Sequence, residues 1–194
     1  LGAFASPYRH DGLKTVAYEL LADRDWEAPD AIVLPASTGE LVVGVVGGLQ
    51  ECVELGLIEE LPTVYAVQAA GCSPIAAAWE VGKETTEPWD TPDTIVGELE
   101  VADPPGGDLA LAALREVDGE ALTVEDDEAL ESAVAVASTE TIEVGLAGGV
   151  AAAGLWLLAE DGPLGAEDEV VVLNTEAATK APDVLRSHLM GQGV

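Results

Sequence analysis

A run of small polar residues, "ASTGE" at positions 36–40, has the types and order that suit an anion. Ser37 and Thr38 offer hydroxyl donors, and Gly39 lets the backbone come close to a ligand. Since the run follows an apolar stretch and opens a predicted helix, the free N–H groups of that helix would favour a phosphate. An ordinary turn capped by Ser or Thr explains the same residues. Taken alone, the run fits that turn better, because the carboxylate of Glu40 would repel a phosphate.

A second candidate lies near the end of the chain, in "VVVLNTEAATK" at positions 170–180. Thr175 stands at the end of an apolar strand, where its hydroxyl could hydrogen-bond a ring nitrogen of a ligand. Asn174 and Lys180 could orient the loop. A capped entry into the following helix explains these residues equally well. Both interpretations stay open at this point.

Basic residues are rare, which singles out "SPYRHDGLKT" at positions 6–15. Arg9 and Lys14 are two of only seven lysines and arginines, and they lie beside the start of a predicted helix. In so acidic a chain, neighbouring positive charges favour a site for an anionic group. The alternative is that Asp11 caps the helix and that the ion pairs are local.

Other catalytic chemistries find little support in the residue pattern. His10 and His188 have no neighbours at metal-ligand spacing, so no metal site is predicted. No GxSxG segment supports a serine nucleophile. The acidic run at 125–128 fits the first turn of a helix rather than a calcium loop. Cys52 and Cys72 form no CxxC pair and are predicted to be core residues of a reduced, cytoplasmic protein.

The charge balance is extreme, with 37 acidic and 7 basic residues and a net charge of -30. Because 48% of the residues are hydrophobic, the charge does not indicate disorder. It argues against a nucleic-acid partner, since phosphates would be repelled. Molar salt shortens the reach of such repulsion to about 3 Å, so the composition indicates a salt-adapted surface of halophilic type. An acidic binding protein from an ordinary cell is the alternative.

Apolar periodicity predicts alternating strands and helices. Strands are expected at 30–35, 62–69, 119–124 and 168–175, and helices at 12–22, 41–57, 73–82, 108–117, 123–138 and 181–189. Residues 141–162 are expected to form a short strand and then a long helix of small residues. Continuous apolar strands between helices are typical of an α/β fold, a parallel sheet with helices on both faces. No apolar run reaches the roughly 20 residues of a membrane span, so no membrane partner is predicted.

In a parallel sheet of this kind, ligands bind beyond the carboxyl ends of the strands. Three loops qualify, at residues 36–40, 68–73 and 174–180, and we expect them to meet in one crevice. The even alternation of elements predicts one domain over residues 1–194.

The order of the segments resembles the threonine synthase family, over residues 6–184. The segments are "SPYRHDGLKTVAYEL", "VLPASTGEL", "ELGLIEELPTVYAVQAAGCSP", the acidic helix and "VVVLNTEAATK". These enzymes have fold type II, as in the tryptophan synthase β group, and use pyridoxal 5'-phosphate. The resemblance implies the large, C-terminal domain of that fold, a cofactor held by a lysine as a Schiff base, and conversion of O-phosphohomoserine to threonine and phosphate. It also implies a small-molecule substrate and a homodimer, a common state in the family.

The resemblance also implies roles for individual residues. Arg9 falls on the arginine that holds the substrate phosphate. Thr175 falls on the hydroxyl residue that faces the pyridine nitrogen of the cofactor, with Asn174 beside it. The loop that cradles the cofactor phosphate corresponds to Ser37, Thr38, Gly39, Glu40 and Leu41.

Several positions depart from the family pattern. None of the three lysines matches the Schiff-base lysine, so we expect that lysine and most of the smaller domain to be missing from this chain, and the chain alone to be inactive. The cofactor loop lacks most of the usual glycines and both asparagines. Glu176 stands where a glycine is expected, while Gly145 and Gly148 stand where a glutamate and a serine are usual. The first residue is Leu1, and the only methionine is Met190, which suggests a piece of a longer protein.

Two alternatives to a threonine synthase therefore remain. One is another fold type II enzyme, related to threonine dehydratase or cysteine synthase, which the altered cofactor loop favours. The other is a degenerate, non-catalytic paralogue that acts as a binding partner, which the missing lysine favours.

Overall fold

The computed structural model describes residues 2–160 and 162–191, apart from the side chain of Pro7. Strands and helices alternate along most of this length, as the apolar pattern predicts. In chain order they are α1 (Pro7–Asp23), β1 (Ala31–Pro35), α2 (Glu40–Glu54), β2 (Thr63–Ala69), α3 (Pro74–Glu80), α4 (Gly107–Glu116), β3 (Glu120–Val124), α5 (Asp126–Glu140), α6 (Leu146–Glu160), β4 (Val170–Val172), a 3₁₀ turn (Ala178–Lys180) and α7 (Pro182–Gly191).

The strands of the described residues form a parallel sheet in the order β3-β2-β1-β4. The central strand β1 pairs with two neighbours, so that Val33 stands opposite both Tyr65 and Val172. All five residues of β1 are buried, because parallel sheets are covered on both faces. The predicted parallel sheet is confirmed.

Helices cover both faces of the sheet, as predicted. Successive side chains of a strand point to opposite faces. Ile32 and Leu34 of β1 therefore pack into a core with α1, α2, α3 and α4. Ala31 and Val33 pack into a second core with α5 and α6. The two cores hold the strands in place and fix the ends of β1 and β4, where polar loops begin.

Close contact between α1 and α2 brings the two helices together at the carboxyl edge of the sheet. Gly44 and Gly48 of α2 face α1. A Cβ at Gly44 would lie 2.3 Å from the Cβ of Leu13, and one at Gly48 would lie 2.7 Å from the carbonyl oxygen of Lys14. Glycine is needed there because the two backbones nearly touch.

Several predicted element ends differ from the structure by a few residues, and three predictions are wrong by more. Helix α1 begins at Pro7 rather than residue 12, since proline fits the first helical position, where its missing N–H is not needed. No strand forms at residues 141–145, because α5 continues to Glu140 and Thr141 ends it in the left-handed conformation. Strand β4 has three residues rather than eight, since it pairs only with residues 31–33 of β1.

Within the described residues, no helix is long and apolar enough to cross a membrane.

Candidate functional site

A cavity of about 310 Å³ opens at the carboxyl ends of β1 and β4. It contains two of the three predicted loops, together with Arg9 of α1. Residues 68–73 do not line it, and Glu98 and Leu99 of the long loop before α4 lie there instead. The described lining residues include Arg9, residues 35–42, Glu98, Leu99, Ala147, Thr175, Glu176 and Lys180.

A second cavity, of about 410 Å³, lies beside α3 and the loop after it, with Lys83, Glu87 and Trp89 in its wall. It is larger, but none of the predicted site residues lines it, and its one described lysine is paired with Glu87 at 2.7 Å. We therefore take the crevice at the carboxyl edge as the candidate site, since ligands of parallel sheets bind at that edge.

The loop at residues 36–40 is held in place from two sides. The N–H of Ala36 donates to the carbonyl of Val67 at 2.8 Å, which extends the pairing of β1 with β2. The N–H of Gly106 donates to the carbonyl of Thr38 at 2.9 Å. Gly39 has a φ of +86°, and a Cβ there would lie 2.5 Å from the carbonyl oxygen of Gly106. This position therefore requires glycine, both for its backbone conformation and for its contact.

Glu40, the first residue of α2, is buried, and its carboxylate is tied to α1. The Nη2 of Arg9 lies 2.8 Å from Oε2, and the Nε of Arg9 lies 3.0 Å from Oε1. The N–H of Phe4 also donates to Oε1, at 2.6 Å. Burial favours the neutral form of the carboxyl, but these hydrogen bonds outweigh it, and the pKa of Glu40 is lowered. The guanidinium predicted to hold a substrate phosphate is thus engaged by a carboxylate of the chain.

Lys14 serves the contact between the helices and does not line the crevice. Its Nζ lies 2.5 Å from Oε1 of Glu51 on α2 and 3.2 Å from Oδ1 of Asp11. The hydroxyl of Tyr18 donates to the same Glu51, which raises the pKa of Tyr18 to about 12. The hydrogen bonds to Glu51 and Asp11 raise the pKa of Lys14. Of the two interpretations of Lys14, an anion site or local ion pairs, the structure shows the ion pairs.

The loop after β4 docks on the start of α6. The side-chain amide of Asn174 donates to the carbonyl of Glu143 at 3.1 Å and so ties the loop to the segment before α6. The carbonyl of Glu176 accepts the N–H of Gly145 at 2.8 Å, and its Oε2 accepts the N–H of Ala147 at 3.0 Å. Thr175, between them, is exposed and lines the crevice.

Glu176 contributes to the crevice more than the sequence indicated. It is only 7% exposed, and its carboxylate occupies the first turn of α6, where the helix dipole favours a negative charge. A Cβ at Gly145 would lie 2.6 Å from the Cγ of Glu176, and one at Gly148 would lie 2.2 Å from Oδ1 of Asn174. The two glycines therefore make room for the loop. The sequence contained a signal for this arrangement. Relative to the family pattern, positions 145 and 148 have lost a side chain, and position 176 has gained one.

Both basic residues of the crevice have acidic partners. Besides the pair of Arg9 with Glu40, the Nζ of Lys180 lies 3.5 Å from Oε1 of Glu98, and both of these side chains are more than half exposed. Glu176 adds a further negative charge. Among the described lining residues, two bases therefore face three carboxylates.

No described group of three or more His, Cys, Asp or Glu residues could hold a metal ion. His10 packs on the ring of Phe4 with centroids 4.2 Å apart, and its Nε2 is buried without a hydrogen-bond partner among the described residues. Cys52 and Cys72 are buried, and burial raises the pKa of both thiols. This agrees with their predicted place in the core.

Residues 1–176 match the family described as pyridoxal-phosphate dependent enzyme. The chain belongs to that family. The match includes Arg9, the loop at 36–40 and Thr175, and ends within the second loop of the crevice.

Curated relatives of the chain are threonine synthases. That of Methanosarcina acetivorans is 32% identical over 180 residues, which cover 93% of this chain and 44% of that protein. That of Methanocaldococcus jannaschii is 30% identical over 178 residues, which cover 92% of this chain and 44% of that protein. The chain thus spans less than half the length of these relatives, and the resemblance seen in the sequence is confirmed.

Solved structures share the fold at lower identity. A fungal L-serine ammonia-lyase from Rhizomucor miehei has a TM-score of 0.73 and 21% identity, covering 92% of this chain and 56% of that one. The processed form of threonine deaminase isoform 2 from Solanum lycopersicum has a TM-score of 0.75 and 16% identity, covering all of this chain and 52% of that one. The predicted α/β fold of a fold type II enzyme is confirmed.

The residues present fit a phosphorylated aldehyde cofactor in shape and polarity. The hydroxyl residues Ser37, Thr38 and Thr175 line the crevice, whose volume is at the lower end of the range for small-molecule sites. Gly39 lets the loop adopt its required conformation. The one carboxylate in the phosphate loop, Glu40, is paired with Arg9.

Proposed function

We propose that this chain is the large, C-terminal part of a threonine synthase-type lyase, which in the full-length protein converts O-phosphohomoserine to threonine and phosphate. The observation that carries the proposal is the meeting of Arg9, residues 37–41 and Thr175 around one crevice. Similarity to threonine synthases over nine-tenths of the chain supports it. The lysine that anchors the cofactor would come from the part of the protein outside this chain.

Each residue of the crevice has a role in this proposal. Ser37, Thr38 and the backbone from Gly39 to Leu41 hold the phosphate of pyridoxal 5'-phosphate at the start of α2, where helix N–H groups favour an anion. Thr175 faces the ring nitrogen, and Asn174 keeps its loop on α6. The cofactor, when bound, draws electrons away from the carbon atoms of the substrate.

Arg9 binds the substrate phosphate in this proposal. Arg9 lies in α1 and lines the crevice together with Thr175, and its side chain is 43% exposed. It presents donors in a planar fork that matches phosphate geometry. A small-molecule substrate, a homodimer and a cytoplasmic location belong to the proposal as well.

The test is titration of the chain with pyridoxal 5'-phosphate in molar KCl, followed by the absorbance and fluorescence of the cofactor. Thr175→Val should weaken binding about fivefold, since one neutral hydrogen bond is lost. Thr139→Val is the matched control, because that hydroxyl lies on the exposed surface of α5 and bonds only to the carbonyl of Ala135. Equal affinity for both variants would contradict the role of Thr175.

A folded full-length protein that binds no cofactor at any concentration would instead support the non-catalytic paralogue. Circular dichroism in the same buffer establishes the folded state. In that case the crevice would serve a partner or a different ligand, and the catalytic proposal would be abandoned.

One observation favours a second function, that of a fold type II lyase acting on an unphosphorylated amino acid. Arg9 is engaged by Glu40, which leaves its guanidinium less available to a substrate phosphate. The relatives of threonine dehydratase and cysteine synthase are the candidates. Product analysis of the full-length enzyme with O-phosphohomoserine, threonine and O-acetylserine separates these activities, because each substrate gives a different product.

A further inference from the structure

The pair formed by Arg9 and Glu40 lies inside the crevice, not on its outer surface. Both residues belong to the lining, beside Ser37 and Thr38. Glu40 is the first residue of α2, so its negative charge belongs to the first turn of that helix, where the helix dipole favours an anion. An anion that enters the crevice therefore meets a carboxylate of the chain close to the start of α2.

The contact is strong for a pair that reaches solvent on one side. Arg9 donates from both Nε and Nη2, which is the bidentate geometry that makes arginine pairs specific. The Glu40 side chain is only 5% exposed, and a further hydrogen bond, from the N–H of Phe4, holds it in place. A phosphate must displace this carboxylate from Arg9 or bind beside it against like-charge repulsion.

The rest of the crevice does not compensate for this carboxylate. Lys180 is paired with Glu98, and Glu176 occupies the start of α6. No other described residue of the lining carries a positive charge. The pairing of Arg9 with Glu40 is therefore the main determinant of the affinity of the crevice for a phosphate.

We propose that Glu40 is a specificity-determining residue, whose carboxylate holds the Arg9 guanidinium and thereby lowers the affinity of the crevice for a phosphate group. The proposal rests on the assignment of phosphate binding to Arg9. While residue 40 is a glutamate, the crevice binds a phosphorylated amino acid only weakly. Replacing that charge by an amide releases Arg9 for the ligand.

Inorganic phosphate is the probe, titrated into the 194-residue chain in molar KCl and followed by phosphorus NMR. Glu40→Gln should tighten binding about tenfold, the lower end of the worth of a charge-assisted hydrogen bond. Glu51→Gln is the matched control, since Glu51 also lies on α2 and pairs with a base on α1 but does not line the crevice. It should leave the affinity within about twofold, as a distant, screened charge does.

Arg9→Gln completes the experiment. Combined with Glu40→Gln, it should abolish the gain, because the gain depends on the released guanidinium. A gain that survives in the double variant overturns the proposal. An unchanged affinity in Glu40→Gln, with weakened binding in Arg9→Gln, overturns the proposal but leaves phosphate binding by Arg9 intact. If neither variant changes the affinity, both the proposal and the assignment of Arg9 are wrong.

The variant must remain folded for these comparisons. If Glu40→Gln loses its helical circular dichroism, Glu40→Asn takes its place, since the shorter amide cannot span the distance to Arg9 and suits the start of a helix. The same outcomes then apply to Glu40→Asn.

Discussion

The side chain of Gln68 links the end of β2 to the loop after β1, because its Nε2 donates to the carbonyl of Ala36 at 3.4 Å. Its Oε1 accepts two further hydrogen bonds, from the N–H groups of Ile75 at 2.8 Å and Ala76 at 3.0 Å. Gln68 is fully buried. One amide thus holds the start of α3 and the start of the candidate phosphate loop in a fixed relation.

Gln68→Leu should lower the free energy of unfolding by about 2–4 kcal/mol, because two buried N–H groups lose their acceptor. Denaturant unfolding in molar KCl measures this. Gln50→Leu is the control, since Gln50 bonds only to the exposed carboxylate of Glu116. It should change the stability by no more than about 0.5 kcal/mol. Equal effects would show that the amide of Gln68 is not needed.

Gly145 and Glu176 should be energetically coupled. Gly145→Ala alone should cost about 1–3 kcal/mol, since the added Cβ would lie 2.6 Å from the Cγ of Glu176. Glu176→Gly should cost about 1 kcal/mol through the lost bond to the N–H of Ala147. The second change removes the Cγ with which the first collides but leaves the backbone oxygen of Glu176, 2.8 Å from the new Cβ. The double variant should therefore recover part of the cost and be more stable than the sum predicts, by about 1 kcal/mol.

The control for the added methyl group is Gly12→Ala, where nothing lies within 4 Å of the new Cβ. That change should stabilise α1 by about 0.5–1 kcal/mol, the ordinary preference of a helix interior for alanine. Strict additivity of Gly145→Ala and Glu176→Gly would mean that the loop relaxes away from α6 without cost.

The pair of Arg9 with Glu40 should give the protein a pH-dependent stability. The folded-state pKa of Glu40 lies below its ordinary value of 4.5, and Arg9 and His10 are the basic groups of α1 that act on it. A carboxyl whose pKa is lowered by folding stabilises the protein above its unfolded pKa. That stabilisation is lost as the pH falls through the folded value.

The difference in unfolding free energy between the wild type and Glu40→Gln should therefore be largest near neutral pH. It should shrink as the pH falls below 4.5. A difference between wild type and Glu40→Gln that stays constant with pH would mean that the charge of Glu40 contributes nothing.

Salt should stabilise the fold. With 37 acids and 7 bases, repulsion between carboxylates outweighs the few ion pairs. Raising KCl from about 0.1 M to about 1 M shortens the screening length from about 10 Å to about 3 Å, so the melting temperature should rise. Differential scanning calorimetry across this range measures the change. A melting temperature that falls with KCl would show that ion pairs dominate, and the prediction of a salt-adapted surface would be wrong.

The sequence predicted the sheet well because β1 and β2 are continuous apolar runs, which are typical of strands buried on both faces. It also predicted that residues 36–40 and 174–180 would meet, since both follow strands of one parallel sheet. It failed at residues 141–145, whose β-branched residues have no neighbouring strand to pair with. Propensity decides little where no partner is available.

The partner of Arg9 could not be predicted from the sequence. Arg9 and Glu40 are separated by a helix, a strand and two loops, so only the contact between α1 and α2 brings them together. The glycines at 44 and 48 were visible, but the sequence did not show whether they faced the sheet or another helix. Packing of that kind depends on the whole fold, and the chemistry of the crevice depends on it in turn.

Strand β1 is paired with β2 on one edge and with β4 on the other, and these partners are made at very different times during synthesis. On the ribosome, the edge of β1 that faces β4 stays without its partner until residues 170–172 have emerged. Contacts between such distant segments close slowly. An apolar strand with an open edge invites pairing with other chains in the meantime. The dense negative charge of the nascent chain, which keeps like molecules apart, would then protect folding as well as solubility.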